Sequence, residues 1–87
     1  MKSTYSAGNW VVQDRGEDWS ALELGVIRTL SNGSKGGNYV HIPPELPGLV
    51  LGPLTETSSK KVKGGKLLRV LWMGRVFLAG PDDLRRI

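Results

Sequence analysis

Two apolar runs near the C-terminus, Leu67 to Trp72 and Arg75 to Ala79, are separated only by Met73 and Gly74, which is the spacing of a β-hairpin. Counting by twos puts Leu68, Val70 and Trp72 on one face of the first run and Leu67, Arg69 and Leu71 on the other, so one face reads as buried and the other as half wet. After the hairpin, Gly80-Pro81-Asp82-Asp83 is a turn in which Asp82 or Asp83 can cap one helical turn, because a short carboxylate accepts a free amide. Leu84 and Ile87, three apart, are expected to point inward from that turn, with Arg85 and Arg86 outward.

Upstream, the pattern predicts further short strands. Gly8-Asn9 leads into Trp10-Val11-Val12-Gln13, aromatic and β-branched. The charged turn Asp14 to Asp18, centred on Gly16, follows. Trp19 to Leu22 reads as a brief helical turn or a crossover, and Leu24 to Leu30 as the second strand, with Gly25 marking a bulge or bend. Ser31 to Asn38, with three glycines, reads as a mobile connection, Tyr39 to Ile42 as a third strand, and Leu49 to Leu51 as a fourth. Pro43-Pro44-Glu45-Leu46-Pro47-Gly48 lies between the last two and cannot continue a ladder, since three of its residues lack an amide donor. Thr55 to Gly65 is the most polar stretch. No segment sustains a 3.6-residue apolar period, so the expected class is all-β, a sandwich or barrel.

The 87 residues are read as one domain, with residues 1–8 expected to be flexible and Tyr5 left open as packed or fraying. A core this small is marginal, so Trp10 and Trp72 are both assigned to it. The chain has no cysteine, which excludes disulfides and thiolate metal sites. MKSTYSAGNW lacks the apolar centre of a signal peptide, and no run approaches the roughly 20 apolar residues of a membrane span. The expectation is therefore a soluble, cytoplasmic domain without a membrane partner.

The order of these features resembles the SH3-like barrels of KOW and Tudor domains. The quoted stretches are the opening AGNWVVQDRG, the Gly-Val of LELGVI at the second strand, and the exit LLRVLWMGRVFLAGPDDLRRI. That resemblance implies five to six short strands, a final hairpin, one short helical turn near the C-terminus and a last Leu-containing strand. GRVFLAGPDDLRRI is also similar in outline to the C-terminus of the plasmid-borne type II dihydrofolate reductases, tetramers of an SH3-like protomer. In that family a Gln-Ile-Tyr segment lines the central pore; here Phe77-Leu78-Ala79 offers neither the amide nor the phenol, and the activity is not carried over.

Charge is unevenly spread. Residues 1–57 carry a net −2 and residues 58–87 a net +6. The latter holds Lys60, Lys61, Lys63 and Lys66 on the polar loop, then Arg69, Arg75, Arg85 and Arg86. Lysines on a loop suit sequence-independent phosphate contact, each neutralised phosphate releasing a counterion, and Arg69 and Arg75 are drawn almost opposite each other in the hairpin. The leading expectation is thus a basic binding module for DNA or RNA, with Trp19 or Tyr39 adding base stacking. The alternative is a protein-interaction or self-associating module, a homo-oligomer in the latter case, using Trp19, Tyr39 and the Pro-rich surface; Trp19 is more readily a lid over the barrel end. No catalytic residue, cofactor or metal site is expected. His41 is the only histidine and has no nearby partner, Asp14, Glu17 and Asp18 lack the spacing of a calcium loop, and SKGGN and VKGGK lack the spacing of a phosphate loop.

Overall fold

The computed structural model describes residues 5–54, 61–62 and 65–87. They form β1 (Trp10–Gln13), β2 (Ser20–Thr29), β3 (Lys35–His41), β4 (Gly48–Pro53), β5 (Lys61–Val62), β6 (Gly65–Lys66), β7 (Leu68–Trp72), β8 (Arg75–Ala79), a 3₁₀ turn over Pro81–Asp83, and β9 (Leu84–Arg86). β5 pairs only with β6; the main sheet runs β3-β2-β8-β7-β4-β1-β9, antiparallel throughout and curled into a half-barrel. The fold is all-β, with seven strands in the main sheet rather than five or six.

The hairpin forms as the alternation requires. Trp72 pairs with Arg75, and Met73 (φ 55°) and Gly74 (φ 73°) both take positive φ, the turn whose twist matches that of the flanking strands. Leu68, Val70 and Trp72 are buried, while Leu67, Arg69 and Leu71 are half-buried. In the 3₁₀ turn the Gly80 amide donates to Asp83 Oδ2 at 3.1 Å. Leu84 is buried, but Ile87 is 71% exposed. Inward pointing at both positions needed a helical spacing of three; β9 is extended, which places them on opposite faces.

Trp19 to Leu22 is neither a helical turn nor a crossover. Ser20 onward is the start of β2, ten residues long, and the strand accommodates Gly25 at φ 83° as the register against β3 shifts between Leu22 and Ile27. β3 likewise begins at Lys35, taking up Gly36, Gly37 and Asn38, which the sequence pattern assigns to the Ser31–Asn38 connection. A Cβ at Gly37 would stand 2.2 Å from Leu22 Cδ1, so the bare glycine lets Leu22 lie across the strand.

Trp72 is the centre of the core. It has no exposed surface, meets Trp19 edge-on at 5.9 Å and Phe77 at 6.2 Å, and donates Nε1–H to the Leu46 carbonyl at 3.1 Å. Trp10, assigned to the core with it, is instead 55% exposed. In β1 it is Val11 and Gln13 that face inward, and Trp10 pairs with Leu49 on the outside. Gln13 is buried at no polar cost: Nε2 donates to the carbonyls of Gly16 and Ile42, and Oε1 accepts from the amides of Arg15 and Gly16. Tyr5 packs rather than frays, its hydroxyl donating to the Leu84 carbonyl at 3.0 Å, and the Gly8 amide donates to Val50 O. Within the segment expected to be flexible, residues 5–8 are therefore tied down; residues 1–4 lie outside the described residues.

At Gly48 a Cβ would stand 2.4 Å from Trp72 Nε1 and 2.7 Å from Val70 Cγ1. Gly48→Ala is expected to cost about 1–3 kcal/mol of stability through overpacking, read as a lower denaturant midpoint at unchanged slope. A midpoint equal to that of the parent chain would show that Trp72 does not press on this backbone.

Candidate functional site

The outer face of the sheet is where the structure departs from a half-wet pattern. Ladder pairs line up Trp10, Leu49, Leu71 and Val76 in one row across β1, β4, β7 and β8. The next row sets Arg69 against Leu78. Leu49, Leu71, Val76 and Leu78 are half-buried and lie outside the core cluster. A sheet with one solvated face normally alternates apolar-in with polar-out. Here four adjacent strands are apolar on both sides. At about 4.8 Å per strand the row spans some 14 Å, with the Trp10 indole at one end.

Arg69 is the cation of this face. It donates Nη2–H to the Leu51 carbonyl at 3.4 Å, a contact set up by the bulge at Leu51-Gly52 in β4. No acid pairs with it among the described residues.

The other arginines go elsewhere. Arg75 does not oppose Arg69: the two-residue turn pairs Arg75 with Trp72 and Arg69 with Leu78, on opposite faces. Arg75 lies on the inner side, forking Nε and Nη2 onto the two carboxylate oxygens of Glu23, with its guanidinium 5.7 Å from the Phe77 ring centroid. Asn38 Nδ2 donates to the same carboxylate at 2.9 Å. Arg85 Nε lies 3.5 Å from Asp14 Oδ1. Arg86 stacks over the Tyr5 ring at 5.9 Å and donates to Asn9 Oδ1. Arg15, which sequence reasoning left out, pairs with Asp83 at 2.7 Å.

Lys60 and Lys63 lie outside the described residues. Lys61 and Lys66 are directly opposed in the β5–β6 ladder. Of the two aromatic candidates, Trp19 is half-buried as a lid against Trp72, whereas Tyr39 is 67% exposed on β3. His41 is exposed at the end of β3, with Glu45 exposed beyond the prolines. Asp14, Glu17 and Asp18 are likewise exposed. Among the described residues no three His, Cys, Asp or Glu side chains gather as a metal site, and no helix is long and apolar enough to cross a membrane.

The Arg75 guanidinium holds the Glu23 carboxyl below its ordinary value of 4.5, desolvation opposes this, and the Asn38 amide adds to the lowering. A carboxylate whose folded pKa is depressed stabilises the fold above its unfolded value, and that contribution is lost as pH falls through the folded value. Stability should therefore decline on acidification below about pH 4.5, and Glu23→Gln should flatten that part of the Tm-against-pH curve. Superimposable acid limbs for the two proteins would contradict the role given to this pair.

Compared with protein-family models, curated protein sequences and solved structures, the chain matches none of them.

Proposed function

We propose that this chain is a non-catalytic protein-interaction module of SH3-like type, docking through its outer sheet face onto a partner element that is apolar and acidic. The order of terminal hairpin, 3₁₀ turn and Leu84 strand returning to β1 supports the KOW- and Tudor-type resemblance. The observation that carries the function is the row Trp10, Leu49, Leu71 and Val76 beside Arg69. A contiguous apolar sheet face costs solubility unless something covers it, and a Trp and an Arg at its margins are the residue types that anchor interfaces. Among the described residues Arg69 has no acidic partner, so a carboxylate from the partner, flanked by aliphatic side chains, complements it.

A charge swap tests this. The probes are two amphipathic helical peptides with the same leucine stripe, one bearing Glu and the other Lys beside it. The parent chain is expected to bind the Glu peptide with chemical-shift changes at Trp10 and Leu71. Arg69→Glu should weaken that complex by about tenfold or more and transfer preference to the Lys peptide. Binding of neither peptide, or indifference to Arg69→Glu, would overturn the reading.

A second reading, contact with nucleic acid, is favoured by one observation. The β5–β6 register sets the backbone positions of Lys61 and Lys66 directly opposite each other, so two residues of cationic type share one ladder position, and a phosphate backbone carries the charge that complements them. Mixed oligonucleotides should then bind with an affinity that falls steeply with salt, and replacing Lys60, Lys61, Lys63 and Lys66 by Glu should abolish it. Absence of binding by the parent chain at low salt would remove this reading and leave the first intact.

A further inference from the structure

The half-barrel ends in two strand edges, β9 on one side and β3 on the other. Unpaired backbone groups along an edge template the addition of another strand, and proteins that remain monomeric guard such edges with short strands, charges or proline. β9 is guarded in this way. It has three residues, follows directly on the Pro81–Asp83 turn, and exposes Arg85 and Arg86. β3 is not. It has seven residues, no proline, and a single formal charge at its first position, Lys35.

The sequence of β3, KGGNYVH, is complementary to itself when read antiparallel about its central residue. With Asn38 on the axis, Gly37 faces Tyr39, Gly36 faces Val40, and Lys35 faces His41 rather than another lysine. Each bare glycine thus meets a large side chain, a cross-strand combination that makes up for the packing glycine lacks. Opposed residues of antiparallel strands share a face, and exposure along β3 alternates accordingly, with Lys35, Gly37, Tyr39 and His41 exposed and Gly36, Asn38 and Val40 half-buried.

A cleft of about 520 Å³ lies beside this edge, walled by Leu22, Leu24, Val26, Ile27 and Leu78, with Gly36 and Gly37 also lining it. The shift of register at Gly25 shapes its wall. Because Leu22 lies directly over Gly37, an aromatic ring arriving opposite Gly37 reaches Leu22 with no side chain in between. Tyr39, 67% exposed, is the residue that the register brings there.

We propose that β3 pairs antiparallel with β3 of a second copy of this chain across a two-fold axis at Asn38, each copy seating its Tyr39 in the cleft of the other. The arrangement is isologous, so one register satisfies both edges at once. It also closes the main sheet: with the two β3 edges paired, the edges that sheet has left are the guarded β9 strands, and its growth stops at two. The dimer uses the β3 edge and its cleft, not the row from Trp10 to Val76, so it stands or falls separately from the docking function.

Sedimentation of the full chain over a wide concentration range tests it. The parent is expected to form a dimer and no larger species, and Tyr39→Ala, which removes an exposed side chain, to weaken that dimer by about tenfold or more. The chain has no cysteine, so Asn38→Cys supplies a unique thiol at the axis, where opposed Cα atoms fall within the reach of a disulfide. It should cross-link under oxidation much faster than Met73→Cys, whose exposed turn lies on a different hairpin. A parent that sediments as a monomer throughout would overturn the proposal. So would a dimer indifferent to Tyr39→Ala, or cross-linking of a folded Asn38→Cys chain no faster than that of Met73→Cys.

Discussion

The fit of one indole against one bare stretch of backbone organises the domain. Trp72 fills the centre of the half-barrel, and the plane of its ring leaves no room for a Cβ at Gly48. Because Gly48 pairs with Val11 on β1 and its strand pairs with β7, that contact draws β1, β4 and β7 over a single side chain. A buried Trp removes about 150–250 Å² of surface from water, a large share in a domain with so few large core residues. Its one polar atom is not left unpaired: the Leu46 carbonyl accepts from it, which pins the proline-rich loop over one end of the barrel. Trp19 packs edge-on against the same indole. Through Leu46 the loop is thus part of the core's lining.

Where apolar packing stops, a single amide side chain takes over. Gln13 ends β1, and its four hydrogen bonds reach the Arg15-Gly16 backbone of the charged turn and the Ile42 carbonyl that follows β3. The Ile42 carbonyl and the Gln13 amide itself would otherwise be buried without partners, each at a cost of about 1–3 kcal/mol. Nearby, Asp83 caps the 3₁₀ turn and receives Arg15. The charged turn and the C-terminal turn are therefore joined, which brings β9 back to β1. An exposed pair of this kind contributes little by itself; its part is to set the geometry in which Leu84 packs.

These interactions explain what could be read along the chain and what could not. The terminal hairpin was legible because its information is local: a period of two, and a two-residue turn ending in glycine. Gly25 was legible as a bulge for the same reason. Trp10 was not, because WVVQ is apolar enough to present either face. The choice was made by Gln13, whose polar side chain turns inward because the adjacent Arg15-Gly16 turn and the remote Ile42 carbonyl together satisfy it. The extension of β2 back to Ser20 depends on pairing with β3 and β8, a tertiary effect that overrides local preference. The arginines were legible as a charge excess but not as an arrangement. Their partners, Glu23, Asp14 and Asn9, lie 52, 71 and 77 positions away in sequence.

That dispersal bears on function. A run of cations in sequence makes a basic surface only if the fold leaves them together and uncompensated. Here Arg75 is committed to Glu23 on the inner side, and Arg85 and Arg86 border the β9 edge. Of the described arginines in that set, Arg69 stands among outward aliphatic side chains, an arrangement that under the proposed function would direct a partner by complementarity and not by a long-range field. The same alternation that buries Leu68, Val70 and Trp72 leaves Leu71 and Arg69 outside. The core and the proposed docking face are two readings of a single strand, β7. A substitution that shifted its register by one residue would exchange them, taking Trp72 out of its place over Gly48 and removing the face together with the fold.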